Sequence, residues 1–209
     1  MVICDLEFLN DTIRDLNDLL SSSTSVMIGD LKFKVQVRCI VCDAPAKAMV
    51  KAVKLYSGYE GCDKCVQRGH WIGRMTYPEV SHVTLRTDES FRRQSHIAHH
   101  HNTSPFCELP IDMIKSFPID YMHQCCLGVM KKLLITWLRG KPKVRISAGH
   151  AHQISEKLMA LRRFVPKAFA RRPRSLLEVD RWKATELRLF LLYFGKLVLK
   201  GILNYMKTS

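Results

Sequence analysis

The sequence predicts a helix-rich α/β fold with one prominent strand. Apolar and polar residues alternate over 31–42, the two-residue period of a half-buried strand. Several longer segments instead repeat their apolar residues every three to four positions, as amphipathic helices do. Between these patterns, residues 58–110 are rich in glycine, histidine and polar side chains with little periodicity, and they read as an insertion. A chain of 209 residues fits one domain carrying such an insertion.

Each element has its own local signal. Over 5–22, Leu6, Phe8, Leu9, Ile13, Leu16, Leu19 and Leu20 mark a helix, and the run Ser21, Ser22, Ser23 ends it. Gly29 and Asp30 turn the chain into the strand, where Leu31, Phe33, Val35, Val37, Cys39 and Val41 alternate with Lys32, Lys34, Gln36 and Arg38. Its last residues lose the polar face, so its far end is expected to run into the core. Asp43 stands where the strand stops, and 44–53 starts a helix with Pro45 tolerated in the first turn. Further helices are expected over 88–101, 121–138, 147–164 and 180–203. The expected organisation is an acidic N-terminal helix (1–30), a core strand and helix (31–57), an inserted region (58–126) and a helical region (127–209).

Charge narrows the partner. The net charge is +14, which favours a polyanion. Residues 1–30 hold six acids and one base, whereas between Lys131 and Arg174 there are thirteen bases and a single acid, Glu156. Lys131, Lys132, Lys141, Lys143, Arg145, Arg162, Arg163, Arg171, Arg172 and Arg174 are therefore the candidate DNA-facing residues. A merely solvated helical face is the alternative. The most apolar stretch, 187–203, is broken by Arg188, Lys196 and Lys200, so no membrane span is expected. The first residues lack the basic and apolar regions of a signal peptide, so an intracellular, reducing environment is expected, where paired cysteines point to metal before disulfide.

Cys62 and Cys65 flank Asp63 and Lys64 behind Gly58 and Gly61, the composition of a zinc knuckle: two thiolates two residues apart grip one Zn²⁺ only on a tightly folded backbone. Cys39 and Cys42 repeat the spacing, so a four-cysteine zinc site is an alternative, but an extended strand points residues three apart to opposite faces. The remaining ligands are better sought in Asp120 and His123, three apart on one helical face. Cys125 and Cys126 stand as substitutes, and Asp120 can equally be a helix N-cap. The cluster His96, His99, His100 and His101 lies on a basic, polar segment, where adjacent histidines are usually solvated. Two acids stand out for chemistry. Asp43 follows an apolar strand end, and Glu186 sits on an apolar helical face where it needs a cation, either a metal or a base such as Lys183.

In order, the chain carries Cys42-Asp43-Ala44-Pro45-Ala46, the Gly58–Cys65 knuckle, Leu109-Pro110-Ile111-Asp112-Met113, Phe117-Pro118-Ile119-Asp120-Tyr121-Met122-His123 with Leu127–Leu133 after it, and Arg172-Pro173-Arg174-Ser175-Leu176 before Trp182-Lys183-Ala184-Thr185-Glu186. Together these resemble the transposases of CACTA-like DNA transposons, RNase H-like nucleases with an Asp-Asp-Glu triad. The resemblance runs over about 31–203. It implies a partial RNase H-like core in which Asp43 is the second catalytic aspartate and Glu186 the terminal glutamate. It further implies an inserted region whose Cys62, Cys65, Asp120 and His123 organise a structural zinc. The implied chemistry is cleavage and strand transfer of DNA with two Mg²⁺ or Mn²⁺ ions, in the nucleus, with other transposase chains as possible partners.

One departure is large. The family's first aspartate lies on an earlier strand, and none of Asp5, Asp11, Asp15, Asp18 or Asp30 ends an expected strand here. The expectation is a transposase-derived remnant truncated at the N-terminus, inactive alone because two carboxylates do not hold both ions, with an open sheet edge beside 31–42. The alternatives are a zinc-stabilised DNA- or partner-binding protein without catalysis, and an enzyme completed by a partner chain.

Overall fold

A computed structural model describes residues 6–21 and 25–202. Asp5, Ser22, Ser23 and Leu203, which figured in the expectations above, lie outside the described residues. The chain forms two units, one up to Ile119 and one from Asp120, each with its own core. The region expected as an insertion is thus packed, up to Ile119, into the same unit as the segment expected as core strand and helix.

In the first unit, a short 3-10 turn (Glu7–Leu9) leads into α1 (Asn10–Leu20). Leu9, Ile13, Leu16 and Leu20 recur at helical spacing, and Ile13 is buried among Val50, Phe106 and Leu109. A two-stranded ribbon follows, β1 (Val26–Ile28) paired antiparallel with β2 (Leu31–Phe33). Gly29 takes φ +60° in the two-residue turn between them, a conformation that excludes most side chains.

The expected strand over 31–42 is therefore only three residues long, and the expected helical block 1–30 contains a strand. The reason is pairing. Period-two alternation makes a strand only where another strand accepts its backbone bonds, and beyond Phe33 the chain instead ties to a loop, Ile40 N–H donating to Ser116 O at 2.7 Å. Met27, Ile28, Leu31 and Phe33 stay exposed on the ribbon.

α2 (Ala44–Val50) begins at Asp43, whose Oδ1 accepts from Ala46 N–H at 2.8 Å. A second ribbon pairs β3 (His70–Trp71) with β4 (Met75–Thr76). α3 (Asp88–Arg92) is held by a reciprocal cap between Thr87 and Ser90, and the helix expected over 88–101 stops there, with only a 3-10 turn at Ile97–His99 beyond. Phe91, Phe106, Leu109, Met113 and Phe117 fill the core.

The second unit is helical among its described residues. Asp120 caps a π-helical stretch (Tyr121–Met130) continuing into α4 (Lys131–Arg139), and Ser147 caps α5 (Ala148–Leu161). The last expected helix is broken into α6 (Ala184–Leu189), a π turn (Phe190–Phe194) and α7 (Gly195–Val198). Cys126, Met130 and Leu134 on one face meet Ile154, Leu158, Leu187 and Phe190. Ser155 Oγ, buried, donates to Ala151 O and accepts from Leu176 N–H at 3.1 Å, tying α5 to the segment before α6. Helices thus dominate, with two small antiparallel sheets, and among the described residues no helix is long and apolar enough to cross a membrane.

Ile154 is 0% exposed at the centre of the second core. Ile154→Ala is expected to lower the unfolding free energy by about 2–5 kcal/mol in a urea titration, the range for truncating a buried aliphatic side chain.

Candidate functional site

The knuckle is built from the backbone outward. A Cβ at Gly61 would lie 2.0 Å from Leu55 O, so only glycine lets the chain pass there. Gly61 N–H donates to Tyr77 Oη at 3.1 Å, and that hydroxyl bonds Gly58 O in turn. On the far side, Arg86 N–H donates to Lys64 O at 2.9 Å and Arg86 Nε to Cys62 O at 3.0 Å. The result brings Cys62 Sγ and Cys65 Sγ to 3.2 Å, shorter than the ~3.8 Å that two thiolates span on one tetrahedral Zn²⁺, so the sulfurs would part slightly to share an ion. Burial pushes the Cys62 thiol up. Burial also opposes ionisation of Cys65, but hydrogen bonds from Gln67, whose Nε2 lies 3.1 Å from its sulfur, hold it below the ordinary thiol value.

The two residues between the cysteines anchor the loop. Asp63 is paired with Lys51, which is 0% exposed, and stands 3.9 Å from Lys47 Nζ and 3.4 Å from Lys64 Nζ. Lys47 also donates to Pro118 O at 2.9 Å, and Lys64 to Ile114 O and Phe117 O at 2.6 and 3.0 Å. Lys51 Nζ lies 4.8 Å from the centre of the Phe91 ring and 5.3 Å from that of Phe117, a cation over aromatic faces. Three ammonium groups around one carboxylate leave an excess of positive charge. Burial lowers the pKa of Lys51 in spite of Asp63. At Asp63 burial acts the opposite way, and the ammonium groups of Lys51, Lys64 and Lys47 together outweigh it, holding the carboxyl below its ordinary value.

Within the histidine cluster His101 is exposed as expected, but His99 is not. His99 is 0% exposed, and burial pushes its pKa down to about 3, so the ring is neutral at physiological pH. Glu60 O can only accept, so the 2.6 Å bond to it fixes the proton on His99 Nδ1. Nε2 is buried and has no hydrogen-bond partner among the described residues, and the same is true of His100 Nε2. His96 is engaged at both nitrogens, by Arg86 at 3.0 Å and Glu60 at 3.3 Å. Sequence reasoning missed His99 because burial of this segment comes from its pairing with 52–54, where Lys54 N–H donates to His99 O at 2.8 Å.

The second unit holds the other expected site residues. Asp120 Oδ1 accepts from Met122 N–H at 2.8 Å, and Oδ2 is bonded to His123 Nδ1. That bond, more than any other contact, holds the Asp120 carboxyl below its usual range. The pair thus acts as the helix cap that the spacing also allowed. Among the described residues no three His, Cys, Asp or Glu side chains already surround a common point as metal ligands, and Cys39 is exposed, so the four-cysteine arrangement is not formed.

Glu186 has the cation it needs, and the partner is Arg174, with Lys183 contributing its backbone instead of its ammonium. Arg174 Nε lies 2.6 Å from Oε1 and Nη2 2.8 Å from Oε2, while Lys183 N–H donates to Oε2 at 2.8 Å. Burial would raise the Glu186 pKa, but the Arg174 fork lowers it below the ordinary value. Arg174 is consequently withdrawn from the candidate DNA face. Lys131 is partly withdrawn too, its Nζ donating to Asp180 O at 3.0 Å, and Arg139 pairs with the Asp180 carboxylate.

Lys132, Lys141, Lys143, Arg145, Arg162, Arg163, Arg171 and Arg172 are exposed and make no ion pair with a described carboxylate within 4 Å. Arg145 lines an open groove of about 570 Å³ with Ser147 and His152 at the start of α5.

No family model, curated protein or solved structure matches this chain in sequence or fold.

Asp63→Ala is expected to lower stability by about 3–5 kcal/mol, because it strands the buried Lys51 charge, whereas the double change Asp63→Leu with Lys51→Met costs markedly less in the same denaturation experiment. Asp63 and Glu186 both have depressed pKa values, so their contribution is present above the unfolded-state values near pH 4 and is lost as pH falls through the folded ones. Thermal melts from pH 7 down to pH 2 should show that loss beginning below about pH 4, and a smaller loss in Glu186→Gln.

Proposed function

We propose that the chain is a transposase-derived, zinc-stabilised DNA-binding protein that does not cleave DNA by itself. The observation that carries this reading is the contrast within the second unit. Its buried Glu186 is neutralised by Arg174, while eight neighbouring bases remain exposed and unpaired with any described carboxylate. Exposed, unpaired bases track phosphates, a contact that positions a protein on DNA without reading its sequence. DNA as partner implies a nuclear location, and the resemblance to CACTA-like transposases adds other transposase chains as further partners.

The carboxylates do not fit a two-ion site. Glu186 has both oxygens engaged by Arg174, and Asp43 caps α2 through Oδ1. A hard divalent ion at Glu186 requires the guanidinium to leave first. Cys62 and Cys65 do fit a softer ion, and Zn²⁺ there would pin the loop 58–65 as a structural element.

The reading is tested with duplex DNA of random sequence. Affinity should fall steeply with salt, and Arg162→Ala with Arg163→Ala should weaken binding across all sequences and reduce the salt slope by about 2. Affinity independent of salt overturns it. With Mg²⁺ or Mn²⁺ no nicking is expected, and nicking abolished by Asp43→Asn or Glu186→Gln would show an enzyme instead.

A further inference from the structure

We propose that the basic face of the second unit takes single-stranded DNA, stacking its bases on Phe164 and on the pair Phe169 and Tyr193. The inference rests on the reading of that face as a phosphate-tracking surface and names the form of DNA it is built for. From Lys157 to Leu177 the sequence carries seven bases and no acid. Two phenylalanines stand among them, Phe164 directly after Arg162 and Arg163, and Phe169 between Lys167 and Arg171. Both are exposed, Phe164 at 67%, and so is Tyr193 at 52%. None of the three belongs to the hydrophobic core of the unit.

The fold holds these rings at the surface. Val165 and Pro173 are buried and anchor the segment at both ends, leaving 166–172 exposed between them. Phe169 N–H donates to Pro166 O at 3.1 Å, and beyond that turn the Phe169 ring meets the Tyr193 ring edge to face, 5.9 Å between centres and 81° between planes. In an edge-to-face pair one ring keeps both faces uncovered by its partner. The Arg163 guanidinium lies 4.8 Å from the centre of the Phe164 ring, a cation–π contact that steadies the ring while most of the residue stays in water. Cations interleaved with aromatic rings are the common device for holding single strands: the cations follow the phosphates, and each ring accepts the flat face of any base. A duplex offers the same phosphates but keeps its base faces inside its own stack, so the rings distinguish the two forms.

The test measures binding of the full chain to one mixed-sequence oligonucleotide, as a single strand and as a duplex. Phe164→Leu and Tyr193→Leu keep an apolar side chain but remove the ring, and each should weaken single-strand affinity about tenfold while leaving duplex affinity unchanged. That loss should be the same at low and high salt, because a stacked base releases no counterions. Phe164→Tyr, which keeps the ring, should bind as the parent does. If Arg162→Ala with Arg163→Ala weakens both forms while Phe164→Leu and Tyr193→Leu keep the parental single-strand affinity, the rings are no stacking platform and the phosphate-tracking reading survives. Phe164→Tyr as weak as Phe164→Leu overturns the stacking as well. A parent that binds neither form overturns both readings.

Discussion

A single carboxylate organises the first unit. Asp63 lies between the two knuckle cysteines and gathers Lys47 from α2, Lys51 just beyond its end and Lys64 from its own loop. Two of those lysines continue to backbone carbonyls at 114–118, so one buried charge cluster ties together a helix, the cysteine loop and the segment closing the unit. Buried ammonium groups are costly, and the compensation offered here is incomplete: one negative charge faces three positive ones. The aromatic faces of Phe91 and Phe117 help to hold Lys51 where water cannot reach. The cysteines are presented by this frame, and their separation depends on it.

The second unit solves the same problem by pairing one acid with one base. Glu186 is buried with a bidentate guanidinium and one backbone donor, a fully satisfied acid. That satisfaction bears directly on function. A carboxylate already matched by arginine is a poor metal ligand, and an arginine so engaged is a poor phosphate ligand. What remains available for an anionic partner is the set of exposed bases without a described carboxylate beside them, Lys132, Lys141, Lys143, Arg145, Arg162, Arg163, Arg171 and Arg172.

Much of the local structure was legible from residue patterns. The helical spacing of Leu9, Ile13, Leu16 and Leu20, the Gly29-Asp30 turn, the start of α2 behind Asp43 and the capping choice at Asp120 all arise from interactions within a few residues. The alternation over 31–42 was equally visible and misled, because a strand depends on a neighbour that the pattern does not specify. His99 shows the same limit from the other side. Its polar surroundings in sequence indicate exposure, yet the segment pairs with residues 52–54, beyond α2, and His99 is completely buried.

By itself, then, the sequence determined the helix-rich character, the caps and turns, the positive charge of 131–174 and the glycine-flanked cysteine pair, all properties of short range or of composition. Tertiary structure alone decided which charges meet: Asp63 with Lys51, Glu186 with Arg174 twelve residues before it, and His99 with the carbonyl of Glu60. The physical reason is that a buried charge or lone pair is tolerated only when a partner reaches it, and here most of those partners arrive from other segments of the folded chain.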